Sequence, residues 1–543
     1  MPSVITALVI FLITYLFIGL RQIPRLHIDR PAGALVGAVL MIVSGVLTLD
    51  QAFAAIDMHT LLLLLGMMII TVYLRVAGFF ELVADKILSL SKTPLQLLIF
   101  VTVSSGILSA LFVNDTICLL YTPVILEIAA QLAVSPMPYL LALATASNIG
   151  SVMTVTGNPQ NMLIGIYSKI PYLSFFGALF PIGLLGLLVS IGVIRFVYRD
   201  DMKKACFLHK PEIAAYEVNK PLLIKSLVIC AGVLAAFSLG YPYSLTAAAG
   251  AVLLMLVGGV RTERVLEGVD WTLLLFFSGL FVVMHGVEVS GLARTMIEGA
   301  GGVAGTSPLG RIAGLSFVSA FLSNVVSNVP AVMLLKPFIE SLGGDRTLWL
   351  TLAMSSTLAG NLTLIGSVAN LIVAQQARKR VEIGFLEYFR VGALITVITL
   401  GIGILVLVVE VRFAQGAEAG AGETQMSVTI SREGSAELRK LKVVLVCDTD
   451  VARTRGLQGF RQLKRDEAAL FVFEKVEPVT FWMGSVAYPI DIIFIGPDRK
   501  VARVYPDCRP GSLAYYPSVA PVQWVIETAA GSGVRAGDRV EFK

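Results

Sequence analysis

The chain reads as an all-α polytopic membrane protein with two inverted repeats, ten spans plus two re-entrant hairpins, followed by a small β-rich soluble domain. Three observations predict this. Of 543 residues only 15% are charged and 56% are hydrophobic, with a mean hydropathy of +0.81, whereas about a quarter of a soluble domain is charged. Charge density reaches that soluble norm only beyond residue 440. Within the apolar part, a set of polar landmarks recurs once, in order, at an offset of about 210 residues.

Taken in order, runs long enough to cross about 30 Å of hydrocarbon fall at Val4 to Leu20, Ala32 to Leu47, Met58 to Gly78, Met137 to Gly165 and Tyr172 to Val197 in the first half. Leu222 to Leu239, Tyr243 to Val260, Trp271 to Val287, Trp349 to Ala374 and Val391 to Val409 follow in the second. The first run lacks the basic start and cleavage site of a signal peptide and is expected to stay as a mature span. Pro94 to Leu132 and Pro308 to Ser341 are apolar but interrupted midway by Val113-Asn114-Asp115-Thr116 and by the stretch from Ser323 to Pro330, which predicts a re-entrant hairpin in each. The spans Met137 to Gly165 and Trp349 to Ala374 are broken at Thr154 to Asn161 and at Gly360 to Ser367, where glycine and Pro159 favour unwinding.

The duplication is in register. Asp57, Gly66 and Gly78 are spaced as Asp270, Gly279 and Gly291 are, and Asn114 to Pro123 matches Asn328 to Pro337. Thr154-x-x-Gly157-x-x-x-Asn161 likewise matches Thr363-x-x-Gly366-x-x-x-Asn370. Five crossings in each half invert the second repeat relative to the first. Basic residues at Arg21 to Arg30, Lys86 and Lys92, Arg195 to Lys225, Arg261 and Arg264, and Arg378 to Arg380 then fall on one side, the cytoplasmic one. Both termini are expected outside a cell inner (plasma) membrane. The boundaries are a membrane domain at 1–412 (repeat one 1–198, repeat two 221–412), a flexible linker at 413–440 rich in Gly, Ala and Glu, and an extracytoplasmic domain at 441–543. Short β-rich runs at Val443 to Val446, Ala469 to Phe473, Ile490 to Ile495, Val501 to Val504 and Val522 to Ile526 mark that last domain.

Polar turns at membrane depth are tolerated only where protein or a water-filled cavity covers them. Inverted repeats, each with a hairpin and a broken helix, would bring four such turns together at the midplane, which is the binding-site geometry of a secondary transporter. Broken helices aim the positive ends of their dipoles inward, and neutral Asn, Thr and Ser side chains recognise oxygens or complete a cation shell. The net charge of +5 is small and scattered, so no nucleic-acid partner is expected, and five cysteines without C-x-x-C exclude metal ribbons and disulfide scaffolds. Neither Gly157 nor Gly366 precedes the lysine of a phosphate loop. The chain is therefore not expected to be an enzyme, and energy would come from an ion gradient, voltage or a separate ATPase subunit.

The passages LSALFVNDTICLLYTP, SNIGSVMTVTGNPQN, FLSNVVSNVPAV and NLTLIGSVAN resemble the ion transporter superfamily that contains the arsenite efflux permeases, the citrate and dicarboxylate transporters and the pink-eyed dilution type proteins, over about residues 1 to 412. The resemblance implies a substrate site at Asn114, Thr116, Thr154, Gly157, Asn158, Asn161, Ser327, Asn328, Thr363, Gly366, Ser367 and Asn370, with Asp115 at the coupling ion. The dicarboxylate branch has Ser-Asn-Thr at both tips, whereas this chain has Val113-Asn114-Asp115 and Ser327-Asn328-Val329. Asn114-Asp115 and Leu364 to Ser367 look most like the arsenite branch. Residues 441 to 543 resemble domain of unknown function 192, through Arg455-Gly456-Leu457, Phe481-Trp482-Met483, Pro489 to Phe494, Tyr516-Pro517-Ser518 and Gly537-Asp538; that family is often exported.

The expected function is secondary active transport of a small anion or oxyanion, with arsenite or antimonite efflux leading, by alternating access. Cofactors are none beyond Na+ or H+ as coupling ion, and the partners are a small inorganic or organic anion and the lipid bilayer, with a homodimer left open. The alternatives are a Na+/H+ antiporter or carboxylate carrier, and a membrane-anchored extracytoplasmic sensor. An acid at a buried hairpin tip is costly unless paired or protonated, so Asp115 reads as a coupling site, or else as a cap on the following half-helix. Asp57 and Asp270 read as helix caps, His285 as a packing histidine, Lys336 as an interfacial one, and Arg75 and Glu288 as span-end charges. Trp482 reads as core rather than as a ligand pocket with Asp491, and the pairing of Cys447 with Cys508 stays open.

Overall fold

A computed structural model describes residues 2–19, 29–203, 218–291, 307–342, 344–420 and most of 426–543. Arg21, Arg25 and Arg455 lie outside the described residues. The chain divides into two compact units, Met1–Val411 and Arg412–Lys543.

The first unit is helical. Repeat one comprises α1 (Pro2–Gly19), α2 (Arg30–Val43), α3 (Leu49–Ala54), α4 (Met58–Val76), α5 (Phe79–Leu90), α6 (Pro94–Leu111), α7 (Asn114–Gln131), α8 (Met137–Ser151), α9 (Pro159–Ser168) and α10 (Tyr172–Val197). Repeat two comprises α11 (Lys220–Ser238), α12 (Tyr243–Val257), α13 (Thr262–Leu266), α14 (Trp271–Val289), α15 (Pro308–Val326), α16 (Asn328–Ser341), α17 (Arg346–Ala359), α18 (Val368–Ala377) and α19 (Phe385–Gly420). Each element of repeat two has its counterpart in repeat one, down to the short α3 and α13. The counterpart of α5 would fall in 292–306, outside the described residues. Seven of the described helices are long and apolar enough to cross a membrane, and α1, α2 and α12 are shorter apolar helices.

Contacts between the repeats are reciprocal. Helix α4 packs on α12 as α14 packs on α2, and α7 packs on α18 as α16 does on α9. Such a self-complementary exchange is what a two-fold relation between copies produces. Its closest points are the duplicated glycines. A Cβ on Gly66 would stand 2.6 Å from the Ala247 carbonyl carbon, and one on Gly279 would stand 2.8 Å from that of Ala34. Ala247 follows Ala34 by the same interval as Gly279 follows Gly66. Small residues let membrane helices approach this closely.

The broken spans are real breaks. Helix α8 stops at Ser151 and α9 restarts at Pro159, and α17 stops at Ala359 and α18 restarts at Val368. The hairpins reverse at Phe112-Val113 and at Ser327. The Asn114 backbone N–H donates to the Gly157 carbonyl at 3.0 Å, so the first tip rests against the gap between two half-helices, midway along that crossing.

The second unit carries a seven-stranded mixed sheet of β1 (Ser427–Ser431), β2 (Glu437–Cys447), β3 (Glu467–Glu477), β5 (Ile490–Ile495), β6 (Val501–Cys508), β8 (Val522–Ala529) and β9 (Arg539–Phe542), in the order β6-β5-β8-β3-β2-β1-β9. A separate ribbon pairs β4 (Thr480–Trp482) with β7 (Tyr515–Pro517). Apolar clusters cover both faces of the large sheet, one around Phe471 and Phe494 and one around Ile493 and Ile526.

Two expectations change. Residues 413–440 are not a plain tether: α19 continues to Gly420, and β1 pairs with both β2 and β9. Val428 and Ile430 are fully buried, with Thr429 between them and Ser427 and Ser431 on either side, a period of two that the Gly-rich and Glu-rich flanks obscure. Trp482 is 52% exposed rather than core, because the two-stranded ribbon leaves one of its faces uncovered. The open question of Cys447 and Cys508 also closes: both are buried and no disulfide joins them.

Candidate functional site

Unwinding a helix frees carbonyls that must find donors away from water. In this chain two duplicated asparagines supply them. Asn161 Nδ2 donates to the carbonyls of Ser151 (3.0 Å), Val152 (3.3 Å) and Thr154 (3.0 Å). Asn370 Nδ2 donates to those of Gly360 (2.7 Å) and Thr363 (3.1 Å). Asn158 and Ser367 then cap the restarted helices, accepting from the Asn161 and Ala369 N–H groups at 2.8 and 3.2 Å.

Around these clamps lies a cavity of about 170 Å³, whose walls include Asn114, Asp115, Pro159, Ser327, Asn328 and Val368. Helices α7, α9, α16 and α18 all begin on that wall, two from each repeat. Their N-terminal dipole ends, about half a charge each, therefore converge on one space. Arg30 and Asp270 also line it, so two acids and one cation accompany the dipoles. Asn114 and Asn328 are 3% and 7% exposed, and the Oδ1 of each has no hydrogen-bond partner among the described residues. Ser327 sits at φ 79°, a conformation that costs a non-glycine residue about 1–3 kcal/mol and turns the second hairpin at the wall.

Of the residues expected at the substrate, Asn114, Asp115, Ser327, Asn328 and Ser367 meet on this wall. The others hold its backbone instead of lining it. Asn158 and Asn161 act as described, Thr154 donates to the Ala110 carbonyl at the end of α6, and Thr363 donates to Asn324 Oδ1 at 3.0 Å. Gly157 and Gly366 leave no room for a side chain: a Cβ would stand 2.4 Å from the Ser151 oxygen and 2.8 Å from Asn324 Oδ1. Thr116 sits in the first turn of α7, off the wall.

The sequence reading missed Asn148 and Asn361. Asn148 Nδ2 donates to Asn361 Oδ1 at 2.9 Å and to Asn370 Oδ1 at 3.0 Å, directly across the repeats. The register that pairs Gly66 with Gly279 also pairs Asn148 with Asn361, and was the signal available. Asp57 and Asp270 do cap their helices, accepting from His59 N–H at 2.9 Å and Leu273 N–H at 3.0 Å. A second cavity of about 600 Å³ is lined by Asp57, His59, Tyr167, His285, Glu288 and Lys336. His285 is part of that wall, 3.7 Å from Glu288, rather than packed in the core. Lys336 lies 4.4 Å over the Tyr167 ring and 3.8 Å from Glu340.

Paired hairpins whose tips meet two broken helices at one cavity define a membrane transporter rather than an enzyme. The chain belongs to the citrate transporter family, whose members it matches over residues 8–348, and residues 430–542 match domain of unknown function 192, described as an uncharacterized ACR. It is 33% identical to the silicon efflux transporter LSI3 of Oryza sativa subsp. japonica, over 74% of this chain and 97% of the relative. It is 26% identical to the putative transporter arsB of Dictyostelium discoideum, over 74% and 92% of the two chains. The fold is similar to that of the YdaH transporter of Alcanivorax borkumensis, with TM-score 0.51, 13% identity and coverage of 76% of this chain and 98% of that one.

Proposed function

We propose that the chain is a secondary active transporter that moves a small oxyacid of the arsenite and antimonite class by alternating access, coupled to an ion gradient through Asp115. The observation that carries this is the single cavity at which both hairpin tips and both restarted helices meet. The helix N-termini favour oxygen lone pairs, while the Asn114 and Asn328 amide oxygens and the carboxylates of Asp115 and Asp270 favour hydrogen-bond donors. A hydroxyl group both donates and accepts, so a hydroxylated acid complements such a wall. A tricarboxylate would set further negative charge against two acids with Arg30 as the one lining cation among the described residues, an adverse arrangement in a site of low dielectric. The silicon efflux relative handles an element whose dissolved form is also a hydroxylated acid.

Asp115 is the acid at the tip of α7, where it can carry a proton between compartments as the first hairpin changes partners. We place the membrane unit in the plasma membrane with the C-terminal domain outside the cytoplasm. The test is a proteoliposome uptake panel of arsenite, silicic acid, phosphate, sulfate, citrate and sodium under imposed pH and sodium gradients. Gradient-driven arsenite or silicic acid flux is expected, and Asp115→Asn should remove its dependence on the imposed gradient. Citrate or sulfate flux without arsenite flux would sink the substrate assignment, and an unaltered gradient dependence in Asp115→Asn would sink the coupling role.

A further inference from the structure

The two ends of an asparagine amide are alike in shape, so only hydrogen-bond partners decide which end faces where. Backbone carbonyls settle two of these amides outright. Asn370 Nδ2 is held by the Gly360 and Thr363 oxygens at 2.7 and 3.1 Å, and Asn361 Nδ2 by the Thr145 oxygen at 3.2 Å. Their Oδ1 atoms must therefore accept, and both accept from Asn148 Nδ2. That orientation turns Asn148 Oδ1 the other way, where it accepts from Asn114 Nδ2 at 3.0 Å and from Ser367 Oγ at 2.9 Å. Asn114 lines the cavity, and its oxygen is left buried and without a partner among the described residues.

We propose that Asn148 is a positioning residue that fixes the hydrogen-bond polarity of the cavity. It relays the direction of three backbone carbonyls through its own amide to the tip of the first hairpin, committing Asn114 to present an acceptor. The site thereby selects a ligand with O–H donors over an anion that can only accept. Asn148 itself is not on the cavity wall. The inference rests on the proposed substrate cavity and adds to it the polarity of the ligand and the residue that sets it. Cavities built to pair with a hydroxyl discriminate strongly against ligands that lack it, because a buried group is then left unpaired.

The experiment measures binding of arsenous acid, which carries three hydroxyls, and of sulfate, which only accepts, to the purified full-length chain in lipid nanodiscs at neutral pH. The wild type is expected to bind arsenous acid at least tenfold more tightly than sulfate. Asn148→Ala lets the Asn114 amide turn, and should reduce that ratio about tenfold by weakening arsenous acid. Asn148→Asp keeps an oxygen facing Asn114 Nδ2 and should preserve the ratio, whatever happens to absolute affinity. Asn114→Asp added to Asn148→Ala, which presents an acceptor whichever way it faces, should restore it. Where Asn148→Ala does not yield folded protein, Asn148→Ser, too short to reach Asn114, takes its place.

A ratio unchanged by Asn148→Ala, or lost equally in Asn148→Asp, would overturn the relay. Sulfate binding as tight as arsenous acid in the wild type would overturn the polarity itself. Failure here is separable from failure of the transport proposal. Arsenite flux with a ratio insensitive to residue 148 removes only the relay, whereas an intact relay in a chain that moves neither arsenite nor silicic acid removes only the transported substrate.

Discussion

Two buried carboxylates in the β-rich unit show how partners decide the behaviour of a single residue. Asp491 is 1% exposed and accepts from the N–H groups of Asp507, Gly531 and Ser532 and from the Ser532 hydroxyl. It is a clamp for a turn, not half of a pocket with Trp482. Glu527 lies on β8 between Ala469 and Ile492, 4% exposed, and its Oε2 has no partner among the described residues. Burial pushes its carboxyl up to about 8, whereas an unfolded glutamate titrates near about 4.3. Between those values the unfolded chain has released its proton and the folded one keeps it. Stability from this group is thus complete below the unfolded value and declines as pH climbs toward about 8. Glu527→Gln keeps the shape and removes the titration. Protection of this unit against limited proteolysis in the full chain should fall from pH 5 to pH 9 in the wild type by roughly 2 kcal/mol or more. In the variant it should stay level; an equal fall in both would assign the pH dependence to other groups.

At the scale of elements, the repeats are locked where helices touch backbone to backbone. A side chain at Gly66 would meet Ala247 main-chain atoms, and one at Gly279 those of Ala34, and neither neighbour can swing aside. Gly66→Leu and Gly279→Leu should each lower stability by about 2 kcal/mol or more, read as thermal unfolding in detergent. Gly177→Leu on α10, where a Cβ meets nothing within 4 Å, should leave it nearly unchanged. A tolerated Gly66→Leu would mean that α4 and α12 are not packed as described. These glycines were legible in the sequence as landmarks in register, and so were the hairpins and the broken spans, because polar turns inside long apolar runs have few structural explanations. Their division of labour was not legible. Asn161 and Asn370 look like ligand residues by type, but the carbonyls that unwinding frees engage their amides first. Asn148 sits in the last turn of α8, beside Ser147 and ahead of the break, and only its three-dimensional neighbours reveal what it joins. The strand Ser427–Ser431 was hidden because five residues of alternation are too few to stand out beside a long helix.

On the scale of the whole molecule, the proposed orientation is testable through the parity of crossings. Helix α19 starts just after the basic cluster Arg378–Lys379–Arg380 and is the last apolar helix before the β-rich unit. The basic groups Lys86, Arg195, Lys220, Arg261 and Arg264 share a side with that cluster if each hairpin returns to its origin, whereas Lys169, Arg311 and Arg346 fall on the other. The proposed orientation, which follows the positive-inside bias, puts that side in the cytoplasm and would have α19 deliver residue 412 onward to the opposite face. Tyr515 is 76% exposed and Lys379 is exposed, which makes both positions suitable reporters. The described cysteines are buried, and Cys206, outside the described residues, can be replaced by serine so that only an introduced thiol reacts. In that background Tyr515→Cys should react with a membrane-impermeant maleimide in intact cells, and Lys379→Cys only after permeabilisation. The reverse pattern would turn the molecule over while leaving both repeats and their cavity intact. Labelling of both positions in intact cells would require an even number of crossings after Arg380, and hence an α19 that does not cross.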